Sequence, residues 1–336
     1  MKILREGTGQ LIGWHDPDEA RAWVLQNKSR DLKDKTMSVA EAVSRFVHDG
    51  DFIASGGFGH IRVSMAIVYE IIRQKKWNLV MAGKTAVHDF DILVGSGCVN
   101  RVEVAYCFGH ELRGLSPASR RMVENGQCKV VAETSNAGYQ WRFLAGMMGV
   151  PFIPSRNLLG TNTFDYSSCK IAKDPFSGRP INLIPAAYPD VAFIHVHRCD
   201  IYGNAQIDAN LVEDFELSRC ARRLILTTEA IVDSEVIRSE PWKTVIPFLV
   251  VDAVVKVPYG SHPCEMPGMY YYDEDHIAEW LSLSKTDDGV KKYFDRYVFG
   301  VDSFDDYLEL CGGKKKLSYL KRREFLKEPM SAPWRK

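Results

Sequence analysis

"DGDFIASGGFG", residues 49–59, sets three apolar residues, Phe52, Ile53 and Ala54, directly ahead of a run holding Gly56, Gly57 and Gly59. The apolar triplet reads as a short buried strand. The glycines behind it let the backbone turn sharply or approach a ligand where a Cβ would intrude. Their spacing is neither GxGxxG nor GxxxxGK followed by Ser or Thr, so neither a dinucleotide nor a nucleoside triphosphate is implied. Such an exit serves either structure or a ligand, and the rest of the chain decides which.

Upstream, Ser38 with Glu41 three residues on predicts a capped helix over VAEAVSRFV, released at Gly50 into the FIAS strand. Downstream, Met65–Ile72 has helical apolar spacing and runs into Arg73, Lys75 and Lys76, which suit a helix C-terminus. Strand-like runs follow at NLVMAG (78–83), VEVAYCF (102–108), KVVAE (129–133), VAFIHVHRCD (191–200), RRLILTTE (222–229) and VVDAVVKVP (250–258), with a helix over 139–148 among them. Strands separated by helical stretches predict an α/β fold: an open, mostly parallel sheet with helices on both faces. The stretch 160–185, rich in Pro, Gly, Asn and Ser, reads as a loop excursion. Residues 1–37 read as an N-terminal extension with a short helix at 18–26, and residues 38–336 as the main domain. Near the C-terminus, VKKYFDRYVFG (290–300) carries an aromatic stripe suited to core packing, within a region whose aromatic surface is also open to subunit pairing. GGKKKLSYLKRREFLKE (312–328) reads as a docked helix.

Charge narrows the partners. Lys plus Arg and Asp plus Glu number 43 each, so no global field gathers nucleic acid or an anionic membrane. No apolar run approaches a membrane span and no secretory leader is visible, which favours the cytoplasm. Eight dispersed cysteines, with no CxxC pair, read as reduced thiols. His195 and His197 share one face of a strand, but two ligands do not specify zinc, and no metal is expected.

Four stretches together, the glycine loop, ETSNAGYQWRFLAGMMGVPFIP (133–154), DVAFIHVHRCDIYGNAQI (190–207) and VVDAVVKVPYGSHP (250–263), resemble the α subunit of the family I coenzyme A transferases, nearest the glutaconate CoA-transferase branch. The resemblance runs from about Ser38 into the C-terminal region. It implies the NagB/RpiA/CoA transferase-like fold and a homologous β subunit, in a heterodimer or heterotetramer. It further implies an acyl-CoA substrate with no tightly bound cofactor, coenzyme A entering as part of the substrate. In that family the thioester is attacked by a glutamate that the β subunit supplies. Its serine-glutamate-asparagine-glycine signature is absent here, and "VENGQ" at 123–127 lacks the serine, so Glu124 is not the nucleophile.

The resemblance assigns Gly56, Gly57, Phe58 and Gly59 to the wall of a thioester site, where backbone donors would stabilise an oxyanion. Arg62 is a candidate clamp for a substrate carboxylate. Phe108, His110 and Tyr139, with Trp141, are candidate pocket walls. Val63 and Ser64 replace the family's small-proline pattern, and Ala66 stands where ketoacid-specific relatives carry an asparagine, which disfavours ketoacid transfer. The main expectation is CoA transfer between a thioester and a carboxylic acid, active only with the β subunit. The alternative is ring-opening hydrolysis or glutaconyl-type decarboxylation on the same scaffold, using Glu133.

Overall fold

The computed structural model describes residues 2–325. Among them are thirteen strands: β1 (Ile3–Glu6), β2 (Phe52–Ser55), β3 (Leu79–Ala86), β4 (Val99–Cys107), β5 (Lys129–Glu133), β6 (Phe152–Ser155), β7 (Lys170–Lys173), β8 (Pro180–Pro185), β9 (Val191–Cys199), β10 (Ala205–Gln206), β11 (Arg223–Ile231), β12 (Thr244–Ile246) and β13 (Ala253–Lys256). Seven of them form one parallel sheet in the order β13-β11-β9-β2-β3-β4-β5. The short strands β10 and β12 extend it antiparallel from the end of β9. From β2 the chain winds outward through β3, β4 and β5, then returns to place β9 on the opposite side of β2. The order therefore reverses between β2 and β9, and open α/β sheets bind ligands at the carboxyl ends of the strands at such a point.

Side-chain alternation splits the core between the two faces. Ile53, Met81, Val191, Phe193 and Ile225 face a cluster shared with Val43, Ile67, Phe90 and Trp280. Their neighbours Phe52, Ala54, Val80, Ala192, Ile194 and Leu226 face a second cluster with Tyr139, Phe143 and Leu217. Helices Val39–Phe46 and Met65–Arg73 cover the first face, and Asn136–Met148 and Asp214–Cys220 the second. The Ser38 hydroxyl accepts from the Glu41 amide at 3.1 Å, as the sequence predicts.

Two features depart from the sequence reading. The stretch 160–185 is not all loop: β7 and β8 lie in it, forming a second, antiparallel sheet in the order β1-β7-β8-β6. A four-residue strand and a six-residue strand that begins and ends in proline carry too short an alternation to register as strands. The N-terminal extension supplies β1 to that sheet, pairing Glu6 with Lys170, and the buried Lys28 ammonium meets Asp252 Oδ2 at 2.8 Å. As the aromatic stripe predicts, Tyr293, Phe294 and Tyr297 on the helix Asp287–Tyr297 are buried in the first-face core, so these three belong to packing and offer no pairing surface. The helix Gly313–Glu324 docks through Leu320, while residues 326–328 of that segment lie outside the described residues. All eight cysteines are free thiols. No helix among the described residues is long and apolar enough to cross a membrane.

Candidate active site

The glycine loop leaves β2 at the point where the strand order reverses. Its pocket is lined by Ser55–Gly59, by Gly83 and Lys84 of β3, and by Asp89, Tyr139 and Glu213. The conformation explains the glycines. Gly57 sits at φ +75°, and a Cβ there would fall on the Ile61 carbonyl oxygen. A Cβ at Gly56 would lie 2.8 Å from Ile194 and 2.9 Å from Asp214. Gly59, at φ +64°, has nothing closer than Glu111 at 3.6 Å. Gly56 and Gly57 are thus required by packing beneath the loop, and Gly59 by backbone conformation alone.

The four loop amides are committed within the chain. Gly56 donates to Phe193, Phe58 to Ile61 and Gly59 to Thr85, and Gly57 donates to Asp214 Oδ1 at 3.3 Å. The free oxyanion donors expected of this loop are therefore not present in it; its contribution to the pocket is shape. Phe58 projects outward, 37% exposed.

Arg62 faces inward. It is fully buried, and its guanidinium grips both oxygens of Asp214 at 3.0 and 2.7 Å and the Asn210 carbonyl at 2.9 Å. Burial works to raise the Asp214 carboxyl, but Arg62 together with the Val212 and Gly57 amides outweighs it and holds the group below the usual carboxylate range. Because Asp214 also receives the Gly57 amide, this pair anchors the loop from below, and Arg62 is not presented to the pocket. Phe108 packs on Phe90, ring centroids 5.2 Å apart. His110 is buried beside His60 and Asp91, and neither it nor Phe108 lines the pocket. Tyr139 does, with its hydroxyl donating to the Ala82 carbonyl at 3.2 Å.

Glu133 ends the sheet-edge strand β5, three strands from β2. It is partly exposed and does not line the pocket. The turn after it does reach the site: Asn136 Nδ2 meets Thr85 Oγ1 at 3.4 Å, and the following helix delivers Tyr139.

The charged groups lining the pocket are ones the sequence did not single out. Lys84 Nζ stands 2.8 Å from Glu213 Oε2, both side chains over nine-tenths buried, as a charge contact rather than an aligned hydrogen bond. Lys84 also donates to Gln140 at 3.3 Å. Burial raises the Glu213 carboxyl to about 8 even against the pull of Lys84, and it raises Asp89 to about 6. An ammonium beside one carboxyl that stays protonated near neutral pH and another that titrates close to it can charge-balance an acid or move a proton in a dry site. Glu213 and Asp89 stand at or near helix starts, where acidic residues are ordinary, so their sequence context gave no signal. His195 and His197 are satisfied separately, His195 by Thr227 and Glu229 at 2.8 Å each and His197 by the Pro267 carbonyl and the Asp208 amide.

A coenzyme A transferase family model matches residues 36–257, which spans β2 to the end of β13 and the whole pocket. The chain belongs to the family I coenzyme A transferases, in their A-type, or α, branch. The A-type subunit of glutaconate CoA-transferase from Acidaminococcus fermentans is 30% identical over 299 residues, 84% of this chain and 93% of that protein. The crystal structure of that transferase superposes with a TM-score of 0.82 over 85% of this chain and 95% of the other. The A-type subunit of 3-oxoadipate CoA-transferase from Pseudomonas knackmussii is 31% identical over 274 residues, 81% and 96% of the two chains. A crystallised variant of the decarboxylase AibA/AibB is 27% identical with a TM-score of 0.68, over 78% of this transferase chain and all of the matched one.

Proposed function

We propose that this chain is the A-type half of a two-subunit transferase that moves CoA between an acyl-CoA and a carboxylic acid. The carrying observation is the pocket at the strand-order reversal, walled by Gly56–Gly59 and holding one ammonium, Lys84, against the Glu213 carboxyl, which burial raises to about 8. Glu213, which burial keeps protonated near neutral pH, is a poor nucleophile, and the chain lacks the family's serine-glutamate-asparagine-glycine signature. The attacking carboxylate therefore comes from a homologous B-type subunit. It attacks the thioester carbonyl to give an acyl anhydride and CoA thiolate; the thiolate attacks the anhydride, releasing the carboxylic acid and leaving a glutamyl-CoA thioester, from which the acceptor acid regains CoA. Lys84 supplies the positive charge that faces the developing oxyanion or the acid's carboxylate. Exposed Phe58, Tyr106 and Leu115, on the glycine loop, the end of strand β4 and the segment after it, lie at the carboxyl end of the sheet, an apolar rim suited to a covering subunit.

The test is to express the chain alone and with its homologous B-type subunit, assay CoA exchange, and map the covalent CoA adduct by mass spectrometry. Activity confined to the pair, with the adduct on a carboxylate of the other chain, supports the reading. Turnover by this chain alone, or an adduct on it, overturns it.

A second reading, hydrolysis or decarboxylation with Glu133 as base, is favoured by one observation: among the described residues the Glu133 carboxylate makes no hydrogen bond or ion pair, so it is available to a substrate. A strict requirement for Glu133 with no covalent adduct on either chain would decide for it.

A further inference from the structure

Behind the glycine loop three histidines meet that the sequence keeps apart. His60 ends the loop, His88 opens the helix His88–Gly95, and His110 follows β4. His88 and His110 are fully buried and His60 is 6% exposed. One nitrogen from each ring lies within 4.8 Å of the others. We propose that His60, His88 and His110 form a tetrahedral three-histidine site for a zinc-type divalent ion, which ties the loop's trailing end to the starts of two further segments.

Three independent features support it. First, His60 Nε2 and His110 Nδ1 are 3.3 Å apart. Two nitrogens at the usual zinc distance of about 2.0–2.1 Å and tetrahedral angles stand about 3.3–3.4 Å apart, whereas octahedral neighbours would stand at about 2.9 Å. Second, the outer nitrogens of both rings face carboxylates. His110 Nε2 meets Asp91 Oδ2 at 3.3 Å, and His60 Nδ1 lies 3.7 Å from Glu111. Asp91 is itself fixed by Trp280 and Ser119, at 2.6 Å each. A carboxylate behind a histidine fixes the tautomer that turns the other nitrogen's lone pair toward a metal. Third, both nitrogens of His88 are buried without a hydrogen-bond partner among the described residues, although its ring stands 6.0 Å from each of the other two. An imidazole buried unpaired is costly, and a metal ion at the centre that the three nitrogens surround would give His88 the partner it lacks. Imidazole donors suit zinc, copper, iron and nickel, and a closed, tetrahedral set of such donors is the usual arrangement for zinc. The inference revises the expectation of no metal, and it stands whether the pocket transfers, hydrolyses or decarboxylates.

The test uses the full chain co-expressed with its B-type subunit, stripped with chelator and titrated with zinc against a chromophoric competitor. The expected result is one ion per chain, a rise in melting temperature at one equivalent, and binding weakened at least tenfold by His88→Ala but not by His48→Ala at an exposed position. Cobalt loading of the unmutated complex provides a readout free of any folding defect: intense visible bands of tetrahedral cobalt are expected. Stoichiometry below one tenth, weak octahedral bands, or undiminished zinc affinity in a folded His88→Ala protein would each overturn the site and leave a hydrogen-bonded histidine chain between Glu111 and Asp91.

Discussion

Arg62 and Asp214, both fully buried, lock the glycine loop from beneath through two hydrogen bonds of 3.0 and 2.7 Å. Removing one partner of a buried pair typically costs about 3–5 kcal/mol because the other charge is stranded. Arg62→Met is therefore expected to lower stability to urea by that order, with the KM of whatever complex still folds unchanged within about threefold. A tenfold rise in KM with normal stability would restore Arg62 as a substrate clamp.

The loop glycines separate two kinds of constraint. Gly57→Ala collides with the backbone at Ile61, whereas Gly59→Ala meets only the intrinsic penalty of its left-handed conformation, about 1–2 kcal/mol. Thermal unfolding should show Gly57→Ala much the more destabilised. Turnover of the folded Gly59→Ala complex should fall by more than its stability loss explains; a loss in strict proportion would remove Gly59 from the site.

Among the described residues, Lys84 is the one basic side chain lining the pocket. Lys84→Met in the reconstituted complex is expected to lower kcat/KM by about 10²–10³-fold, and Glu133→Gln by less than about threefold. The reverse order, with Glu133→Gln costing about 10²–10⁴-fold, would favour the hydrolase or decarboxylase reading.

Asp89 carries a pH signature. Burial lifts its carboxyl from 3.8 to about 6 in the folded chain, so the folded state holds this proton more tightly than the unfolded one. Its contribution is complete below pH 3.8 and is lost as pH rises through 6. Asp89→Asn cannot ionise. Relative to the unmutated protein it should gain stability between about pH 4 and 6, by about 3 kcal/mol at most. Parallel pH profiles for the two proteins would show Asp89 to be unperturbed.

Much of the fold was legible because it rests on local pattern. The β2, β3, β5, β9 and β11 runs are dense in apolar residues, their helices carry caps such as Ser38, and four sequence blocks sufficed for the family. What failed was short or locally ambiguous. The strands Lys170–Lys173 and Pro180–Pro185 offer too few alternations, and the helix His88–Gly95 is buried over nearly its whole surface, which erases the amphipathic period.

The sequence by itself determined the sheet class, the place of the glycine loop and the absence of the B-type nucleophile signature, since each is written in adjacent residues. Only the tertiary structure decided which side chains the loop meets. Arg62 finds Asp214 across 152 positions, Lys84 finds Glu213, and His60 finds His110 across 50. Nothing local dictates those pairings: they follow from the strand order that sets β9, β2, β3 and β4 side by side and from the cost of burying a charge or an imidazole unpaired, which is met or avoided only once the chain has closed.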